Sequence, residues 1–270
     1  MIGNKGIATA CRPVLQACLL MAGLAGLVFS CRPASAADKL TVAVAANAAP
    51  AVEALAALYR EQRGWDVDLI IGSSGKLSTQ IRQGAPFDLF LSADLTYPQA
   101  LIDAEMAVPP LRVYARGRLV LWLPDTTGLA RAGLSLLQAE RVRRIALAQP
   151  SLAPYGRASR QALAHSGLWQ ELQPKLVFGE SISQVNQVLS TGAVDAGFTA
   201  LSAMHYTAMA DRGSYMEVDT SAYAPIDQGM VVTRHGATNH PEAARSFFDF
   251  LQSEDARRTL AHFGYGLLPN

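Results

Sequence analysis

From Leu40 onward, short apolar runs rich in β-branched residues alternate with amphipathic stretches at steps of roughly 25 residues. Leu40 to Ala45 reads as a buried strand. Pro50 to Gln62 then sets Val52, Leu55, Ala56, Leu58 and Tyr59 on one helical face. Val67 to Ile71 is the next strand, Lys76 to Gln83 the next helix, Asp88 to Ser92 the third strand, and Tyr97 to Glu105 the helix behind it. A strand that returns parallel to its predecessor needs a right-handed helical crossover, so the pattern fixes an α/β fold with mostly parallel sheets and flanking helices. Further on, Leu119 to Leu123 and Arg144 to Ala148 read as strands. A helix opens at Tyr155 or Gly156 and runs to His165, and Ser183 to Leu189 is another. Val194 to Thr199 and Gln228 to Thr233 are strands, and Glu242 to Gln252 with Glu254 to Ala261 close the chain as helices. The expected arrangement is two lobes with a cleft between them, joined by crossings near Leu111 to Leu121 and Tyr223 to Met230. Lobe 1 is expected over residues 37–115 plus 228–270, and lobe 2 over 116–227.

The segment before these elements has another character. Lys5 and Arg12 precede an uncharged apolar run from Val14 to Phe29, and Ala34-Ser35-Ala36 supplies the small residues read by signal peptidase. Residues 1–36 are therefore expected to be an export signal, with the mature chain beginning at Ala37 in the periplasm. The run Val28-Phe29-Ser30-Cys31 offers an alternative, lipidation at Cys31, although Phe29 stands where a small residue is usual. Cys11, Cys18 and Cys31 all precede the expected cut, so the mature chain has neither a disulfide nor thiolate chemistry. Losing Lys5, Arg12 and Arg32 from 23 basic residues, against 22 acidic ones, leaves a net charge of about −2. That balance, with no basic stripe, argues against nucleic acid.

Ligands of open α/β sheets sit beyond the carboxyl ends of strands. Four loops there are small, rich in Ser, Asn or Gly, and open a helix: Ala45 to Pro50, Gly72 to Lys76, Pro150 to Gly156 and Gly179 to Ser183. A helix start leaves N–H groups unpaired and carries roughly half a positive charge, so several converging starts bind an anion without lysine or arginine. Asn47 and Ser74 add side-chain donors. The plain alternative is that Asn47, Ser74 and Ser183 merely cap helices. Gly72 to Leu77 fails as a phosphate loop, because two residues separate its glycines and Leu77 stands where magnesium needs a hydroxyl. Lys76 is expected to face solvent. Hydrolase chemistry lacks a G-x-S-x-G elbow. His235 and His240 flank a Gly/Asn turn and read as surface, and no histidine or carboxylate spacing suggests a metal.

The residues resemble the periplasmic molybdate-binding proteins of ABC importers, within the two-lobed solute-binding superfamily, over nearly all of Lys39 to Leu268. The resemblance rests on Leu40 to Asn47 (LTVAVAAN), Gly72 to Ile81 (GSSGKLSTQI), Gly84 to Asp94 (GAPFDLFLSAD), Ala153 to Gly156 (APYG) and Phe248 to Leu251 (FDFL). The third string is the most specific. The resemblance implies a periplasmic binding protein fold and a monomeric receptor that closes on molybdate or tungstate and serves the importer's membrane permease subunits. It implies no cofactor, no catalysis, and no metal except as the oxyanion. It places the ligand on Asn47, Ser74 and the backbone N–H groups of Tyr155 and Ile182. Some members add a tyrosine hydroxyl where this chain has Ala200, and the Asn47 amide is the expected replacement donor. Sulfate, thiosulfate or an organic anion is the alternative ligand, the last favoured if an arginine such as Arg157 faces the cleft.

Overall fold

The computed structural model describes residues 39–124, 133–205 and 209–267. The expected export signal and the Cys31 alternative lie outside them. Two five-stranded sheets organise the rest. The first has the order β2–β1–β3–β10–β4, from β1 (Leu40–Ala45), β2 (Val67–Gly72), β3 (Leu89–Leu91), β4 (Ala107–Gly117) and β10 (Ile226–Thr233). The second has the order β7–β6–β8–β5–β9, from β5 (Leu119–Leu123), β6 (Ile145–Ala148), β7 (Leu176–Gly179), β8 (Ala196–Ala200) and β9 (Ser214–Glu217). β4 ends at Gly117 in the first sheet and β5 starts at Leu119 in the second; the chain returns at Ile226.

Each sheet is mixed. β1 lies parallel to β2 and β3, and β6 parallel to β7 and β8. β10 is antiparallel to β3 and β4, and β5 to β8 and β9. The strand–helix alternation predicts the parallel pairs. The antiparallel ones arise where the chain crosses between lobes, since a strand arriving from the other sheet is under no crossover constraint.

Period-two alternation builds the first lobe. Val42 and Val44 on β1, with Leu89 and Leu91 on β3, face one core. Ala43 and Phe90 face the opposite one. The first core is closed by α1 (Ala49–Arg63) and by the C-terminal helices α7 (Pro241–Phe250) and α8 (Glu254–His262), where Tyr59 meets Phe247 edge-on at 4.9 Å. α2 (Ser74–Arg82) and α3 (Thr96–Asp103) close the second through Leu77, Ile81 and Leu101. Each fully buried Leu or Phe contributes about 1.5–3 kcal/mol. Helix α1 stops at Gly64, whose φ of 74° is left-handed and whose N–H caps Arg60 O at 2.8 Å.

In the second lobe, α4 (Pro154–His165) and α5 (Ile182–Ser190) pack on the sheet. Pro154 starts α4 where its missing N–H costs nothing. Gly156 lets that helix lie against β6, because a Cβ there would come 2.1 Å from Ala148 O. Ala45 and Ala93 of the first lobe join the second lobe's core cluster, so the lobes meet. Residues 234–239, where a turn is expected, form a short helix, α6 (Arg234–Asn239), capped by Thr233.

Candidate functional site

A small, tight cavity, with about 10 Å³ of room for the centre of a water-sized sphere, lies where the lobes meet, and the starts of α1, α2, α4 and α5 converge on it. Asn47, Ser74, Tyr155 and Ile182 all line it. These residues are only 1–4% exposed. Among the described residues, none of their four backbone N–H groups has an acceptor. A buried orphan N–H costs free energy comparable to a lost hydrogen bond, so four around one cavity are a strong demand for acceptors. Four helix starts supply roughly +0.5 charge each, about +2 together. The described lining holds no lysine, arginine, histidine or carboxylate.

The side-chain donors differ from the sequence expectation. Both N–H bonds of the Asn47 amide are committed: Nδ2 donates to Gln228 Oε1 at 2.9 Å and to Tyr265 Oη at 3.1 Å. The amide is therefore not the replacement for the hydroxyl missing at Ala200, and Asn47 offers the cavity its backbone N–H instead. Asn47 O in turn accepts from Tyr265 Oη at 2.7 Å and Ser202 Oγ at 2.9 Å. Tyr114 Oη also donates to Gln228 Oε1, at 2.8 Å, and Gln228 Nε2 reaches Tyr155 Oη at 3.4 Å. This buried network holds the Asn47 turn by donors and acceptors from both lobes. Burial, and secondarily the neighbouring tyrosines, pushes the Tyr114 and Tyr155 hydroxyls well above their ordinary 10.0. They stay neutral, so no formal charge enters beneath the cavity.

Ser74 Oγ accepts the Ala93 N–H at 3.0 Å, which orients the oxygen and leaves its proton available. Ser73, left out of the ligand set expected from the sequence, lines the same cavity with a buried hydroxyl that has no partner. The capping alternative does not describe these residues. The caps are Ala48 for α1, Ser73 for α2 (with no side-chain bond) and Ser181 for α5, whose Oγ accepts from Gln184.

The cations nearest the cleft are paired across it. Lys76 is half exposed, as expected, and meets Glu180 at 3.0 Å. Arg157 pairs with Asp94 and lies over the Tyr97 ring at 5.5 Å. Tyr97 Oη donates to Ser151 O at 3.0 Å, adding a further link across the cleft. A larger groove, about 280 Å³ on the same measure, follows α1 and β2, but Glu53, Arg60 and Asp66 line it.

Two lobes closing on a cavity of neutral donors define a binding protein for a small anion. The chain belongs to the family of bacterial extracellular solute-binding proteins, whose profile matches residues 40–266. It is 37% identical over 232 residues to the molybdate-binding protein ModA of Rhodobacter capsulatus, covering 86% of this chain and 89% of that protein. To ModA of Azotobacter vinelandii it is 35% identical over 235 residues, covering 87% and 92%. The solved periplasmic molybdate-binding protein of A. vinelandii superposes with a TM-score of 0.80 at 34% identity, covering 86% of this chain and all of that one. Such a protein is a receptor for its solute and not an enzyme.

Proposed function

We propose that this protein captures molybdate outside the cytoplasm and delivers it to the membrane subunits of an ABC importer, with tungstate as a second ligand. The observation that carries the reading is the ring of buried, acceptor-less N–H groups at Asn47, Ser74, Tyr155 and Ile182. Relatives named for molybdate over nearly the whole chain supply the ligand class. The hydroxyls of Ser73 and Ser74 complete the proposed donor set.

The chemistry favours a fully deprotonated tetrahedral dianion. Each charge-assisted hydrogen bond contributes about 1.5–3 kcal/mol net, which several together raise above the cost of desolvation and closure. Phosphate retains a proton near neutral pH, and a cavity lined by no carboxylate or imidazole offers that proton only a serine hydroxyl, a weak acceptor already used as a donor. Sulfate is smaller and reaches fewer donors at once. Molybdate and tungstate nearly match in size, so both bind.

In the proposed cycle the mature chain, cut after Ala36, works as a periplasmic monomer. Its lobes, residues 37–115 with 228–270 and residues 116–227, hinge at the two crossings. Ligand first meets one lobe and closure adds the donors of the other. No helix among the described residues is long and apolar enough to cross a membrane.

A thermal-shift panel of molybdate, tungstate, sulfate, phosphate and thiosulfate tests the reading, since a ligand of the native state stabilises it by RT ln(1 + [L]/Kd). Molybdate and tungstate are expected to raise Tm strongly and phosphate not at all. A sulfate shift equal to that of molybdate refutes the selectivity.

A further inference from the structure

Asp88 precedes β3, at the opposite end of that strand from the cavity, and the fold brings His235 and His240 to it. Each of the three presents one ligand-type atom, and these atoms lie within 4.8 Å of one another. Asp88 is 1% exposed. Its Oδ2 accepts the Thr41 N–H at 2.8 Å, while Oδ1 lies 2.8 Å from His240 Nδ1 and 4.0 Å from His235 Nε2. Both imidazoles are about a third exposed, at 35% and 34%, so the side away from Asp88 is open to water.

We infer that these three side chains form a site for a divalent transition-metal ion of the zinc class, with water as the fourth ligand. Two imidazole nitrogens and one carboxylate oxygen suit zinc, cobalt, nickel or copper, whereas magnesium and calcium take oxygen sets. Tetrahedral bonds of about 2.0–2.1 Å set ligand atoms about 3.3 Å apart. The distances of 2.8 and 4.0 Å to Asp88 straddle that value and the two imidazoles lie within 4.8 Å of each other, so the two part-exposed rings must draw together to seat the ion.

The frame around the cluster is fixed. The Thr233 N–H donates to Asp88 O at 3.0 Å, and Thr233 Oγ1 accepts the Gly236 N–H at 3.1 Å. A Cβ at Gly236 would come 2.3 Å from Asp88 O, so only glycine lets α6, with His235 in it and His240 just after it, seat against this aspartate. The neighbouring Arg234 is held on Glu105, its Nε donating to Glu105 O at 2.8 Å. Asn239 Nδ2 lies 3.1 Å from His235 Nδ1. Loading Nε2 puts the His235 ring proton on Nδ1, so the ring gives up its contact with that amide, which keeps its bond to His235 O at 3.0 Å. On binding, the ion replaces the proton between His240 Nδ1 and Asp88, which passes to solvent. The site ties the start of β3 to α6 and leaves the cavity donors untouched.

The test uses the mature chain with its purification tag removed and its metals stripped by chelator. Titration with Zn²⁺ and Co²⁺, followed by calorimetry and visible absorption, is expected to give one ion per chain and the intense absorption of four-coordinate Co²⁺. His235→Ala and His240→Ala are each expected to weaken binding by more than about tenfold; His235→Ala keeps the metal-free urea midpoint, whereas His240→Ala lowers it by taking a bond from the buried Asp88. His165, His205 and His262 remain in both variants as internal controls. Absence of saturable binding, or equal binding by the double variant, overturns the site and leaves a plain histidine–carboxylate hydrogen bond. Neither result depends on which oxyanion the cavity takes.

Discussion

The N–H of Gly75, in the first turn of α2, donates to the carbonyl of Leu152 at 2.9 Å, joining the two lobes backbone to backbone. A Cβ at Gly75 would lie 2.9 Å from that carbonyl oxygen and 2.7 Å from Tyr97 Oη. The tyrosine can swing away; the carbonyl cannot without reopening the cleft. Gly75→Ala therefore separates folding from closure. Alanine favours a helix over glycine by up to about 1 kcal/mol, so ligand-free Tm is expected to stay or rise. Molybdate affinity is expected to fall by more than about tenfold, as closure loses about 1.4 kcal/mol or more. Calorimetry checks this, and an unchanged affinity shows that closure does not need this approach.

Ser73 and Ser74 are expected to respond with opposite signs in the ligand-free protein. The Ser73 hydroxyl is buried without a partner, so Ser73→Ala removes a desolvated group and ligand-free stability holds or rises. Ser74 Oγ accepts the Ala93 N–H, so Ser74→Ala strands that donor and lowers stability by about 1–3 kcal/mol. Both variants are expected to lose about 1–3 kcal/mol of molybdate binding. Urea midpoints and calorimetric affinities measure the two effects separately. Full affinity in Ser73→Ala removes that hydroxyl from the donor set.

What the sequence discloses and what it hides divide along separation in the chain. β5 coincides with the run Leu119 to Leu123, and the first lobe's strands emerge from local apolar periodicity. β4 does not, because Pro109, Pro110, Arg112 and Arg116 interrupt its pattern, and as an edge strand it is only partly buried. β9 is four residues long and alternates in burial, too short for periodicity to register. At the cavity, the small residues of the four loops are legible because helix starts are local. The occupation of the Asn47 amide is not, since Gln228 and Tyr265 lie 181 and 218 positions away. The meeting of Asp88 with His240, 152 positions apart, is hidden for the same reason, and two histidines that read as surface acquire a carboxylate partner.

Arg157 and Asp94 join α4 to the loop after β3, with side chains 37% and 13% exposed. A pair so near solvent contributes about 0.2–1 kcal/mol. Its place across the cleft directs that contribution to the closed form. Arg157→Ala is expected to raise the molybdate dissociation rate by up to about fivefold with little change in association. Stopped-flow kinetics reads both, and added salt narrows the difference because the pair is screened. A slowed association with an unchanged off-rate places Arg157 in ligand steering, not closure.

Alkaline titration reaches the network beneath the cavity. Tyr114 and Tyr155 hold their protons well above 10.0 in the folded chain, chiefly through burial. Below pH 10 both folded and unfolded chains keep these protons, and the contribution of the two hydroxyls to stability is fully present. Above it the unfolded chain releases protons the folded chain retains, so stability falls with rising pH until the folded hydroxyls titrate as well. The slope reaches about 1.4 kcal/mol per pH unit for each group. Urea unfolding from neutral pH to strong alkali is expected to show this fall. Tyr114→Phe is expected to be less stable at neutral pH, having lost its 2.8 Å bond to Gln228, and to decline more gently above pH 10 by one proton's worth of slope. Molybdate affinity is expected to stay level from roughly pH 6 to 9, where no ordinary tyrosine titrates and no carboxylate, imidazole, lysine or arginine lines the described cavity. A Tyr114→Phe variant with the wild-type alkaline slope breaks the link between that hydroxyl and the fold.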